Sequence, residues 1–84
     1  MNKYFSIEEA EYIHDYTIKL IFNDGRETEV DFSDFIKKSH HPDIAKYQDL
    51  KKFKKFHLTY GDLEWNDFEL SFPINDLYQG KILH

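Results

Sequence analysis

The chain has 84 residues and no cysteine, and 16 Asp and Glu against 11 Lys and Arg give it a formal net charge of -5. That length predicts a single domain over residues 1–84, and the missing thiols exclude disulfides, thiolate metal sites and a cysteine nucleophile while fitting a reducing cytoplasm. The acidic balance weighs against wholesale nucleic-acid binding, which draws on an electropositive surface.

Met1-Asn2-Lys3-Tyr4-Phe5-Ser6 leads straight into Glu8, Glu9 and Glu11, so no signal peptide is expected. No apolar run approaches the ~18 residues of a membrane helix. Ala10 and Tyr12 alternate with Glu9 and Glu11, which predicts a first strand from about Ile7 to Ile13 that turns at His14-Asp15. Tyr16, Ile18, Leu20 and Phe22 then form one apolar face of a second strand, and Thr28, Val30 and Phe32 one face of a third. A two-residue Asp-Gly turn between them would set Leu20 opposite Glu29 and Ile18 opposite Asp31, throwing carboxylates into the core. A three-residue Asn23-Asp24-Gly25 loop instead opposes Leu20 with Thr28, Ile18 with Val30 and Tyr16 with Phe32. The spacing therefore predicts a type I turn with Gly25 left-handed in a bulge.

Ser33-Asp34-Phe35-Ile36 reads as one helical turn with Ser33 as its cap. Ile44, Tyr47, Leu50 and Phe53 recur every three residues, and in one straight helix that row would rotate by about 60° per step. A short turn at Asp43 to Tyr47 and a helix from about Asp49 to Lys55, capped by Asp49, accommodate it better. Phe56, Leu58 and Tyr60 restore a period of two, and Gly61-Asp62 predicts a hairpin that opposes Tyr60 with Leu63 and Leu58 with Trp65. A second turn at Asn66-Asp67 would oppose Trp65 with Phe68 and Leu63 with Leu70. Pro73 ends the strand, and Ile74 to Tyr78 forms a last helical turn stopped by Gly80. The fold class is α+β: an antiparallel sheet of about five to six strands, made of an N-terminal three-stranded meander and a C-terminal meander, with short helices packed on one side.

The ordered set of Phe22-Asn23-Asp24-Gly25, Val30-Asp31-Phe32, the Leu50 to Phe53 helix, the Gly61 turn leading to Trp65, and Leu77-Tyr78 resembles a small bacterial family, the domain of unknown function 2442. The likeness spans about Tyr12 to Tyr78. It departs from the common pattern at Asn66-Asp67-Phe68-Glu69-Leu70, where members often carry an Asp-containing turn and a Pro shortly after the Trp. The resemblance implies an α+β fold, no established activity, and a partner-binding module. Some relatives carry an appended helix-turn-helix domain, and many lie beside another small protein in an arrangement like a toxin-antitoxin pair. With its last residue at His84, this chain is expected to lack a DNA-binding extension.

Four groups of residues bear on chemistry. Lys51, Lys52, Lys54 and Lys55 interleave with Phe53 and Phe56; they either engage phosphates or solvate the outer face of a helix anchored by Leu50 and Phe53. The run has no arginine, the usual fork for phosphate. Glu27, Glu29 and Asp31 share the face opposite the core, with Lys19 facing Glu29 and Thr17 facing Asp31. They form either a solvated face with one ion pair worth about 0.2–1 kcal/mol, or an acidic surface that steers a basic partner. A catalytic carboxylate pair is not expected, because same-face positions lie about 7 Å apart on an exposed strand. His40-His41-Pro42-Asp43 lacks the further ligands that a closed metal site requires. Trp65, Phe68, Phe72 and Tyr78 are core residues if they fit inside, and a partner or dimer interface if exposed together.

Ser6, Ser33, Ser39 and Ser71 have no nucleophile elbow, and three glycines make no phosphate loop. The chain thus reads as a non-enzymatic cytoplasmic protein-binding module without metal or cofactor. Its partner is a second small protein, encoded nearby, or another copy of itself, and Trp65, Phe68, Tyr78, Glu27, Glu29 and Asp31 are the contact candidates. The alternative is a nucleic-acid-associated regulator that uses Lys51, Lys52, Lys54 and Lys55.

Overall fold

Parity closes the first hairpin. In a computed structural model, which describes residues 5–82, the Gly25 N–H donates to Phe22 O and the Phe22 N–H to Arg26 O, both at 2.9 Å. Gly25 takes φ 88°, and Asp24 Oδ1 accepts the Arg26 N–H at 3.0 Å to pin the turn. Strand β2 (Thr17–Phe22) consequently meets β3 (Glu27–Asp31) with Ile18 opposite Val30 and Leu20 opposite Thr28, and the Phe32 N–H reaches Tyr16 O at 2.9 Å. Strand β1 (Ile7–His14) pairs antiparallel with the other side of β2, and its register shifts between Ile7 and Glu9 and between Tyr12 and His14. The leader reading at Met1 to Tyr4 and the chain end at Leu83-His84 lie outside the described residues.

Helix α1 (Ser33–Lys38) runs two residues past the expected turn, and Ser33 is its first residue rather than its cap. The Asp31 carboxylate takes over that role by accepting the Ser33 N–H at 2.8 Å. The three-residue period of the middle segment has a direct cause. After α2 (Pro42–Ala45) the chain tightens into a 3-10 turn at Lys46–Gln48, with three residues per turn. Asp49 then restarts the chain as the N-cap of α3 (Leu50–Phe53), its Oδ1 accepting the Lys51 N–H at 3.0 Å. The 3-10 turn and α3 each place one large side chain inside, Tyr47 and Phe53, whereas α2 buries none.

The C-terminal strands β4 (His57–Thr59), β5 (Asp62–Trp65) and β6 (Leu70–Ser71) form the second meander, so six strands make two three-stranded antiparallel sheets. Two registers differ from expectation. The first turn is Tyr60-Gly61, which opposes Leu58 with Leu63 and Thr59 with Asp62. A two-residue turn of this hand needs both central residues at positive φ, and Tyr60 (52°) and Gly61 (81°) supply them. Gly61 must be the glycine of the pair because a Cβ there would lie 2.5 Å from the Ser6 Cβ. The second loop is four residues, Asn66 to Glu69, and opposes Trp65 with Leu70. Asn66, Asp67 and Phe68 all take positive φ there.

The segment Ser6-Ile7 joins the halves. Ser6 O accepts the Asn23 N–H at 2.9 Å, and the Ile7 N–H donates to Gly61 O at 2.8 Å, tying the first hairpin loop to the Tyr60-Gly61 turn. Helix α4 (Ile74–Gln79) ends at Gly80 in the left-handed conformation, and side chains at the start of β3 satisfy its last carbonyls. Thr28 Oγ1 donates to Leu77 O at 3.1 Å and Arg26 Nε to Tyr78 O at 2.7 Å. Among the described residues, no helix is long and apolar enough to cross a membrane.

The two turns predict different glycine costs. Gly25→Ala faces open space and should lose only about 1–2 kcal/mol through its backbone, whereas Gly61→Ala adds a steric clash and should lose clearly more in urea denaturation. Tyr60 is fully exposed at positive φ, so Tyr60→Asn should raise stability by a few tenths to about 1 kcal/mol in the same assay.

Candidate functional site

Two charged surfaces stand out, one on each side of the N-terminal sheet. The register places Glu9, Ile21 and Glu27 in one row across the three strands, and Glu11, Lys19 and Glu29 in the next. Asp31 follows beside Thr17. Glu9, Glu11, Glu27, Glu29 and Asp31 are exposed, and Lys19 is half-buried among them. Lys19 Nζ reaches Glu27 Oε1 at 3.1 Å, choosing the diagonal partner over Glu29 directly opposite. That hydrogen bond and the charge of Glu27, with Glu11 and Glu29 behind it, hold the Lys19 ammonium above its ordinary value. The Asp31 carboxyl sits below its ordinary value because Ser33 bonds to it. A shallow depression of about 160 Å³ lies between Glu9, Glu11, Lys19 and Ile21.

Helix α3 packs against the inner side of that sheet, with the Phe53 ring 5.3 Å from Tyr16 and 6.5 Å from Tyr12. Its lysines part company there. Lys54 lies 4.7 Å over the Tyr12 ring. Lys52 and Lys55, three residues apart and so on one side, help line a cleft of about 270 Å³ with Lys46, His57, Tyr47, Trp65 and Asn66. Lys51 is not among the lining residues.

At the rim of this cleft Glu69 is held by three donors. Lys46 forms an ion pair with Oε1, the Tyr47 hydroxyl donates to the same oxygen at 2.8 Å, and Asn66 Nδ2 donates to it at 3.2 Å. Led by Lys46, they push the Glu69 carboxyl down to about 2. Burial, then the bond to Glu69, raises the Tyr47 phenol well above its ordinary value. Glu64 is buried, and its oxygens accept Thr59 Oγ1 at 2.8 Å and the Phe68 N–H at 3.1 Å, which brace the left-handed loop. Those bonds keep its carboxyl below the usual value.

The aromatic candidates separate by burial. Trp65 is 1% exposed and gives its indole N–H to Phe53 O at 2.7 Å, so it floors the cleft from the core instead of presenting a contact surface. Phe72 is buried as well. Tyr78 is half-buried and engaged: its hydroxyl donates to Asp24, and its ring stacks on Phe5 at 3.9 Å. Phe68 remains 48% exposed on its loop. In the His40-His41 segment, His41 Nδ1 accepts the Asp43 N–H at 3.2 Å as the cap of α2. Sequence reading took in the run from Lys51 to His57 but passed over Lys46 and Glu69 as site residues, since no local spacing links them to Lys52 and Lys55; the one hint was a charge beside a buried anchor, as in Lys46-Tyr47.

The Glu69 cluster sets a pH window. Its depressed carboxyl contributes stability that is complete above the ordinary value of 4.5 and lost as pH falls towards about 2. Denaturant midpoints measured across that window should fall less steeply for Glu69→Gln than for the native chain, with Glu69→Gln the less stable of the two near neutral pH.

A family model described as a protein of unknown function, DUF2442, matches residues 7–82. No curated protein and no solved structure matches the chain. The matched span runs from the first residue of β1 past the end of α4 and includes both charged surfaces, and the chain belongs to the DUF2442 family.

Proposed function

We propose that the protein is a non-enzymatic, cytoplasmic protein-binding module, the regulatory or antitoxin-like half of a two-protein system whose other member is encoded alongside it. The observation that carries this reading is the outer face of the N-terminal sheet, where five exposed carboxylates surround Lys19. The carboxylates lie on β1 and β3, on either side of β2, where Lys19 is a single positive charge among five negative ones, so the face keeps a net repulsion that folding does not require. A complementary cationic partner relieves that repulsion and is drawn in by the field.

Dimensions narrow the partner. Eight residues of β1 give a face about 26 Å long, and three strands make it about 10 Å wide. That footprint matches one helix or extended segment, about 10–12 Å across, better than a broad globular surface. The half-buried Ile21 and the exposed Ile13 add apolar contact between the charges. The occupant fitting these features is a lysine- or arginine-rich amphipathic segment of the partner. Nucleic-acid association draws less support, since Lys54 is occupied by the Tyr12 ring and the net charge is negative.

Co-expression with the neighbouring gene product tests the proposal. A stable complex is expected, with an association rate that falls as salt rises, and Glu27→Lys combined with Glu29→Lys should slow association about tenfold or more without altering the circular dichroism spectrum. Absence of any complex at micromolar concentration, or an association indifferent to both charge reversals, would refute it.

A further inference from the structure

The cleft beneath α3 has a charge imbalance that folding does not explain. Of its three lysines, Lys46 is neutralised by Glu69, whose Oε1 already takes three donors. Among the described residues, neither Lys52 nor Lys55 pairs with a carboxylate, and both side chains face the same cleft. His57 and Asn66 add further nitrogen donors to the lining. On the second sheet Glu64 lies across the strand pair from His57, and its oxygens accept Thr59 Oγ1 and the Phe68 N–H. Neither Glu64 nor Glu69 forms an ion pair with Lys52 or Lys55.

The floor strengthens what they can do. Trp65 and Tyr47 are both buried, and the indole N–H is spent on Phe53 O, so the base of the cleft is an apolar ring surface with no competing donor. The rings offer the body of a ligand an apolar surface beside the two ammonium groups. We propose that this cleft is a binding site for a small phosphomonoester dianion. A phosphomonoester carries about two negative charges at neutral pH, which matches two unpaired ammonium groups, whereas a carboxylate would leave one of them unanswered. Lysines bind phosphate as point charges, so the lack of arginine in the run is no obstacle.

Size and layout favour a small molecule over a polymer. A cleft of about 270 Å³, just below the roughly 300–1,000 Å³ of drug-sized ligand pockets, holds a phosphate group with a short body. A nucleic-acid backbone needs a continuous track of cations, and here Lys51 lies outside the cleft while Lys54 is drawn to Tyr12. The acidic sheet face plays no part in this site.

Glycerol 3-phosphate and inorganic phosphate serve as probes, titrated at constant ionic strength and followed by the emission of the single tryptophan, Trp65, and by amide shifts of Asn66 and His57. Saturable binding of both is expected, weakened about tenfold or more in the Lys52→Ala, Lys55→Ala double variant and unchanged in Lys51→Ala. Both lysines are exposed, and a matched circular dichroism spectrum establishes that the double variant is folded. Three results would overturn the proposal: a response no larger than that to sodium chloride, an unchanged affinity in the double variant, or tighter binding of a single-stranded oligonucleotide that also depends on Lys51.

Discussion

The bond from the Trp65 indole to Phe53 O, 2.7 Å long and buried, is the interaction on which the rest of the architecture turns. An indole N–H left without an acceptor in that position would cost roughly 1–3 kcal/mol, enough to expel the ring from a small core. With the bond made, Trp65 sits inside and gathers Phe32 at 5.6 Å, Phe53 at 5.6 Å and Phe72 at 6.0 Å around it. Those rings come from the end of β3, from α3 and from the segment after β6. One polar contact thus lets a strand of the second sheet, a helix and the end of the first sheet share a single interior.

That arrangement also creates the cleft. Anchoring Phe53 turns α3 so that Lys52 and Lys55 project beside Trp65, while Lys54 swings over Tyr12. The packing of one aromatic side chain therefore converts an undifferentiated basic run into two groups with different surroundings. The opposite side of the N-terminal sheet has no such partner. Its carboxylates meet solvent, with Lys19 in half-burial as their counter-ion. The domain consequently carries acid on one side of its first sheet and base on the other.

Left-handed backbone is concentrated in the second sheet. Tyr60, Asn66, Asp67 and Phe68 all take positive φ, at a cost on the order of 1–2 kcal/mol for each ordinary residue. Glu64 and Glu69 offset part of it, the first by accepting the Phe68 N–H and the second by binding Asn66 and Tyr47. The Asn66 to Glu69 loop is thus held by charged side chains. This construction ties the loop's shape to ionised carboxylates and to the cleft beside it.

The first hairpin was legible from the chain alone because strand alternation has a period of two, so a one-residue error in Asn23-Asp24-Gly25 would have put Glu29 and Asp31 into the core. The Asp49 cap, the Gly80 stop and the α+β class were legible for the same kind of reason: each rests on local stereochemistry. The second meander was not, since Leu58 can oppose either Leu63 or Trp65 without breaking alternation. In the folded protein Tyr60 and Gly61 take the two positive-φ turn positions, and the Ser6-Ile7 segment of the first half packs and bonds against Gly61. The basic cleft lay equally beyond local reading, because Lys46 and Asn66 join Lys52, Lys55 and His57 only after Trp65 and Phe53 have packed. Alternation and turn chemistry act over a few residues and are written in the chain; contacts between distant segments depend on how the rings fill one interior, and only the folded protein decides them.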